Sequence, residues 1–204
     1  MTMLEIMVST AVISLVLLSA ALVVKSGNSV YRSTLARDHL RQQGQAAVNR
    51  IADTVAMASK STFGATLAAP AGSATLDFRT PTGITGNVVS WTTPSRIAYQ
   101  PSQTHHGKSA KHNATLDNDG EVVLIRDVGS KNAVTTVLAS HVAAYLEGES
   151  ANGKDDNGNG LVDEKGLSFV LTGDQLTIRL TVADFDPDGL PVWVTSETQI
   201  RLRN

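Results

Sequence analysis

One run of apolar residues constrains this chain more than anything else in it. Positions 1–24 read MTMLEIMVSTAVISLVLLSAALVV, and Glu5 is the only charged side chain before Lys25. A helix needs about 20 apolar residues to cross a bilayer, so the run is long enough. It is apolar on every face, as expected of a helix surrounded by lipid or by other helices. A secretory signal sequence would open with a basic segment, and here Glu5 stands in that place. Two readings of Glu5 stay open. In a plain membrane anchor the carboxylate lies at the interface, favoured by the helix dipole. In an assembling helix it is a costly buried ion that needs a partner.

From Asn28 to Lys60 the pattern turns amphipathic. Ala47, Ile51, Val55 and Ala58 recur at helical spacing, and Tyr31, Leu35 and His39 start the same stripe. Arg32, Arg37, Asp38, Arg41 and Asp53 fill the polar side. This predicts one continuous helical rod of roughly 60 residues, about 90 Å long, whose second half docks on a sheet. Gly44 allows a close approach or a bend. Lys25, Arg32, Arg37 and Arg41 follow the apolar run, and by charge alone would be retained on the cytoplasmic side.

A Gly/Ala/Pro-rich link, Ser61 to Gly72, separates the helix from a series of strand candidates. These are 74–79, 87–92, 96–100, 121–127, 133–139, 167–171, 175–183 and 192–203. Leu176, Ile178, Leu180 and Val182 alternate with polar residues, as in a half-buried antiparallel strand. With 204 residues the chain suits one folded domain plus an extension. The expected organisation is 1–27, a hydrophobic transmembrane or filament-core helix; 28–60, its amphipathic continuation; and 61–204, a β-rich domain. The fold class is α+β. With no cysteine, the chain cannot rely on disulfides, and a bound ion is an alternative staple.

The N-terminal residues also carry a resemblance. MTMLEIMVSTAVISLVLL resembles the mature start of type IV pilins and pseudopilins, left after prepilin peptidase removes a short basic leader. The resemblance implies that Met1 becomes an N-methylated terminus. It also implies that Glu5 neutralises the terminal amine of a neighbouring subunit in the filament core. The lost leader would then set an orientation opposite to the one the basic residues suggest. The ending TSETQIRLRN is similar to the last strand of minor pilins. One departure is Leu22, where many pilins have the Pro at which the helix melts; Ser26 and Gly27 are the nearest weak points.

A second motif lies at 152–166. Asp155, Asn157, Asn159 and Gly160 fit the D-x-[DN]-x-[DN]-G opening of a calcium loop, in which oxygens at alternate positions converge on one ion. Leu161 would add a backbone carbonyl and Asp163 the ninth-position ligand. The twelfth position is Gly166, so Glu164, or Glu147 or Glu149 upstream, would replace the usual bidentate Glu. The competing reading is an ordinary Asn/Gly/Asp turn without an ion. Calcium is the cofactor expected.

Other signals are weaker. His105, His106 and His112, with Lys108 and Lys111, read as a solvated loop. Asn113 opens a glycosylation sequon. A net charge of -2 and only 4% aromatics give no basis for nucleic-acid binding. No nucleophile or zinc-protease motif occurs, and an enzyme would not account for the N-terminus. The expectation is a non-enzymatic structural subunit of a type IV pilus-like filament. Its partners would be copies of itself or related pilins, the prepilin peptidase and the assembly machinery. It would reside in the bacterial inner membrane before assembly, then in an extracellular pilus or a periplasmic pseudopilus. Two alternatives stand beside it: a minor pseudopilin of a type II secretion system, and a monomeric membrane-anchored calcium-binding module.

Overall fold

A computed structural model describes residues 2–63, 74–86, 88–101 and 120–202. Met1, the histidine-rich loop with His105, His106 and His112, and the Asn113 sequon lie outside the described residues.

The rod is one helix, α1, Met3–Val55, of 53 residues or about 80 Å. It begins with a capping box: Thr2 Oγ1 accepts from the Glu5 N–H, and Glu5 Oε2 accepts from the Thr2 N–H at 2.8 Å. It runs without a break through Ser26, Gly27 and Gly44. A 3-10 turn at Lys60–Thr62 follows. Leu40, Gly44, Ala47, Val48, Ile51, Ala52 and Val55 are buried, and so is Ala58 beyond the helix end. Tyr31, Leu35 and His39 were expected on this face, yet all three are exposed. At 3.6 residues per turn they stand about 120–160° round the helix from Ile51, away from the sheet, whereas Ser29, whose hydroxyl donates to Asp188, and the half-buried Ser33 and Ala36 extend the docked face.

Among the described residues nine strands follow: β1 Thr75–Phe78, β2 Pro81–Thr85, β3 Val88–Trp91, β4 Ser95–Pro101, β5 Gly120–Arg126, β6 Val134–Val142, β7 Leu167–Thr172, β8 Gln175–Phe185 and β9 Pro191–Arg201. Seven form one antiparallel sheet in the order β1-β4-β5-β6-β8-β7, with β9 paired to β8 along its whole length. Strands β2 and β3 form a separate two-stranded ribbon. Eight strands fall where the sequence places them. Strand β2 was missed because Pro81 and Gly83 read as breakers, and the ribbon accommodates them at a register shift. The chain is therefore α+β, with a long, initially apolar helix docked by its second half on an antiparallel sheet.

The helix lies across β8 and β9 and touches β6. Leu176, Ile178, Leu180 and Val182 point from β8 toward it and are almost wholly buried. Gly44 marks the closest approach, since a Cβ there would stand 2.7 Å from Ser196 Oγ on β9 and 3.3 Å from Val182 Cγ2. Along a strand, successive side chains face opposite ways. Arg179 and Thr181 therefore point to the far side of the sheet, where the segment between β6 and β7 covers them: the Glu147 N–H donates to Thr181 Oγ1, and Glu164 pairs with Arg179. The order across the molecule is helix, sheet, acidic loop.

Candidate functional site

The first half of α1 has no cover. The helix is long and apolar enough to cross a membrane, and none of its most apolar 18-residue window is buried. Three of its hydroxyls bond within the helix. Thr10 donates to the Ile6 carbonyl at 2.9 Å, Ser14 to Thr10 at 2.7 Å and Ser19 to Val16 at 2.8 Å. Hydroxyls bonded to the helix's own carbonyls expose little polarity, which favours burial in lipid or among other helices. Glu5 is the exception, an exposed carboxylate whose only described partner is the Thr2 backbone. It is a local cap and an available anion at once.

The acidic loop is a folded unit. Asp155 Oδ1 accepts from the Gly158 and Asn159 N–H groups at 2.7 and 3.1 Å, and Oδ2 accepts from Gly160 at 2.7 Å. Asn157 Oδ1 accepts from Asn159, and Asn159 Oδ1 accepts from Leu161. Positive φ at Gly158 and Gly160 lets the chain turn this tightly. Asp155, Asn157 and Asn159 are thus gathered in one turn. Asp163 is directed elsewhere, its carboxylate accepting from the Asn152 and Gly153 N–H groups at 3.0 Å. Leu161 buries its side chain.

Glu164 lies beneath the loop, 0% exposed. It accepts from Ser168 Oγ at 2.9 Å, from Arg179 Nη1 at 3.2 Å and from the Asn159 amide. Arg179 also holds Glu197 at 2.8 Å. Burial works against the Arg179 charge, but hydrogen bonds and charge from Glu197 and Glu164 outweigh it and raise its pKa. A carboxylate this deep is tolerated because it is paired and fully hydrogen-bonded. Glu164 therefore serves as the loop's anchor to β7 and β8.

The glutamate beside the Asp155 turn is Glu149. Its Oε1 accepts from the Asn157 N–H at 3.1 Å, while its Oε2 is buried without a hydrogen-bond partner. An orphaned anionic oxygen next to a turn rich in oxygen ligands is what fits a hard cation here. Among the described residues, no three His, Asp or Glu side chains converge at metal-ligand distance. The DxNxNG pattern marked the turn in sequence. Nothing in the spacing singled out Glu149 over Glu147 or Glu164, since that choice depends on where β6 delivers the chain.

No protein-family model, curated protein or solved structure matches this chain.

Proposed function

We propose that the chain is a structural subunit of a type IV pilus-like filament. Its apolar helix anchors it in the inner membrane and then packs with the helices of other copies in the filament core. The observation that carries the reading is the uncovered apolar half of α1, continuous with a half that docks on a β-domain. A plain anchor would need the same apolar length. The assembly reading also uses Glu5, an exposed carboxylate in an otherwise uncharged run. Inside a helix bundle it would exchange the Thr2 N–H for the terminal amine of a neighbouring copy, so that each charge compensates the other. The resemblance of MTMLEIMVS to mature pilin termini supports this role. The chain's work would be mechanical, driven by membrane partners rather than by chemistry of its own.

The test pairs images of the purified native material with Glu5→Ala. The expected result is a filament for the parent chain and loss of assembly, with retained membrane insertion, for the variant. Assembly that proceeds unchanged in Glu5→Ala would leave only an anchor.

Within this reading the acidic loop takes a calcium ion through Asp155, Asn157 and Asn159, with Glu149 supplying the carboxylate that the missing twelfth-position Glu does not. The orphaned Glu149 oxygen favours this over an ion-free turn. Calcium would neutralise the crowded carboxylates and stiffen a loop without a disulfide. In a thermal melt, saturating calcium is expected to raise the midpoint by several degrees over chelator, at 100-fold excess over Kd worth about 2.7 kcal/mol. Glu149→Gln should remove most of the difference. Identical melts with and without chelator dismiss the ion.

A further inference from the structure

The second half of α1 and the loop between β6 and β7 carry opposite charge. From Lys25 to Val55 there are five cations, Lys25, Arg32, Arg37, Arg41 and Arg50, against Asp38 and Asp53. Between Tyr145 and Gly166 there are six carboxylates against Lys154 and Lys165. The cations have no ion pair among the described residues.

Helical spacing sharpens the pattern. Eighteen residues make five turns and seven make about two, so Lys25, Arg32 and Arg50 stand on one line of the helix, roughly 37 Å long. His39 and Gln43 fall on the same line and contact each other. All five side chains are exposed. The line runs beside the buried face, so docking on the sheet leaves it open. On the acidic side, Glu147 and Asp156 are the exposed carboxylates.

The two surfaces lie on opposite sides of the sheet, the helix on one and the acidic loop on the other, and cannot meet within one molecule. Complementary patches on opposite sides of one subunit join head to tail, and head-to-tail contacts that do not close on themselves produce open helical assemblies. We infer that the Lys25–Arg32–Arg50 line docks against the acidic loop of a second copy of this chain. The occupant follows from charge complementarity: the chain itself supplies the matching surface, unpaired and facing away. Such a contact fixes register and speeds association rather than supplying most of the binding energy. A calcium ion at Asp155 would leave Glu147 and Asp156 outside its ligand set and available.

The inference rests on the filament reading, and the experiment separates the two. Full-length chain carrying Arg32→Glu and Arg50→Glu, or Glu147→Lys and Asp156→Lys, is compared with parent chain for pelletable filament. Each reversed pair is expected to lower yield about tenfold at low salt, with an unchanged melt, and combining all four should restore it to within about threefold. Separately, the charge-preserving variant Arg32→Lys/Arg50→Lys is treated in membranes with a zero-length carbodiimide, and the linked peptides are mapped. Links from positions 25, 32 or 50 to carboxylates within 147–164 of another copy are the expected result. If parent chain forms filaments and the reversed pairs assemble equally well, the inference falls and the filament reading stands. If parent chain forms none but the cross-links appear, the contact stands and the filament reading falls. Loss of assembly without rescue and without those cross-links overturns the contact.

Discussion

The two halves of α1 are one helix by backbone and two different objects by environment. Up to Val24 the side chains are large, apolar and uncovered; Leu17 and Val24 are 65% and 72% exposed. From Leu40 to Val55 the buried side chains are smaller on average, mostly Ala and Val with Leu40 and Ile51, and the sheet covers them. Apolar content alone would rank the first half as the better core. What decides is complement. The second half has β8 and β9 against it, and none of the described residues covers the first half. Its stability in water-free surroundings must come from lipid or from other helices. A helix carrying both kinds of surface stabilises the domain at one end and leaves apolar surface open at the other.

The strongest way to break this comparison is to remove the same bulk from each half. Ile51→Ala empties a fully buried position between helix and sheet, and should cost about 3 kcal/mol in a denaturant melt of the detergent-solubilised chain. Leu17→Ala should leave that melt within about 0.5 kcal/mol. An equal loss at both positions would mean that the apolar half folds back onto the domain.

The two glycines make a finer version of the same test. Gly44 sits where Cβ would press on Ser196 and Val182, so Gly44→Leu should cost about 2 kcal/mol by overpacking. At Gly27 a Cβ meets nothing within 4 Å. Gly27→Ala should therefore favour the helix by about 1 kcal/mol, the usual propensity difference. Helix content by circular dichroism and the melt midpoint read both effects. A Gly27→Ala chain that folds as before but assembles poorly would show that the helix must loosen there, the role Leu22 cannot take in place of a Pro.

Much of this was legible in the sequence, and the omissions have physical causes. The apolar run is a matter of local composition, and the alternation in β8 and the Ala47–Ile51–Val55–Ala58 stripe reflect local periodicity; a sequence records both directly. Tyr31 and Leu35 keep a four-residue interval without being buried. Each such interval drifts by about 40° round a helix of 3.6 residues per turn, so over the sixteen residues from Leu35 to Ile51 the spacing crosses to another face. The acidic loop was visible through its turn residues, but Glu149, Asp163 and Glu164 diverge because each follows a different contact: the Asn157 backbone, the Asn152–Gly153 backbone, and Arg179 with Ser168 under the sheet. Strand β2 was hidden because Pro81 and Gly83 are poor strand residues in general and are tolerated in a free two-stranded ribbon. The opposition of helix and acidic loop across the sheet needs the strand order and cannot be read from either segment alone.

The smallest expected effect concerns how the docked half is closed off. Lys60, just past the helix, reaches Asp174 in the β7–β8 turn at 2.8 Å, whereas the far end of α1 is closed, among the described residues, by its capping box. The Lys60 hydrogen bond and charge hold the Asp174 pKa below its ordinary value. A carboxylate whose folded pKa is depressed contributes stability above its unfolded pKa, about 3.9, and loses that contribution as pH falls through the folded value. Both partners are exposed, so solvent screening keeps the effect small. Lys60→Met should therefore lower the melt midpoint slightly and by a constant amount across neutral pH, with the gap to parent chain closing in acid, below the ordinary carboxylate range. The same substitution at Lys25, on the uncovered half, should leave the domain's melt unchanged at every pH. A pH-dependent gap at Lys25 would place that lysine against a carboxylate of the domain and join the two halves that the fold keeps apart.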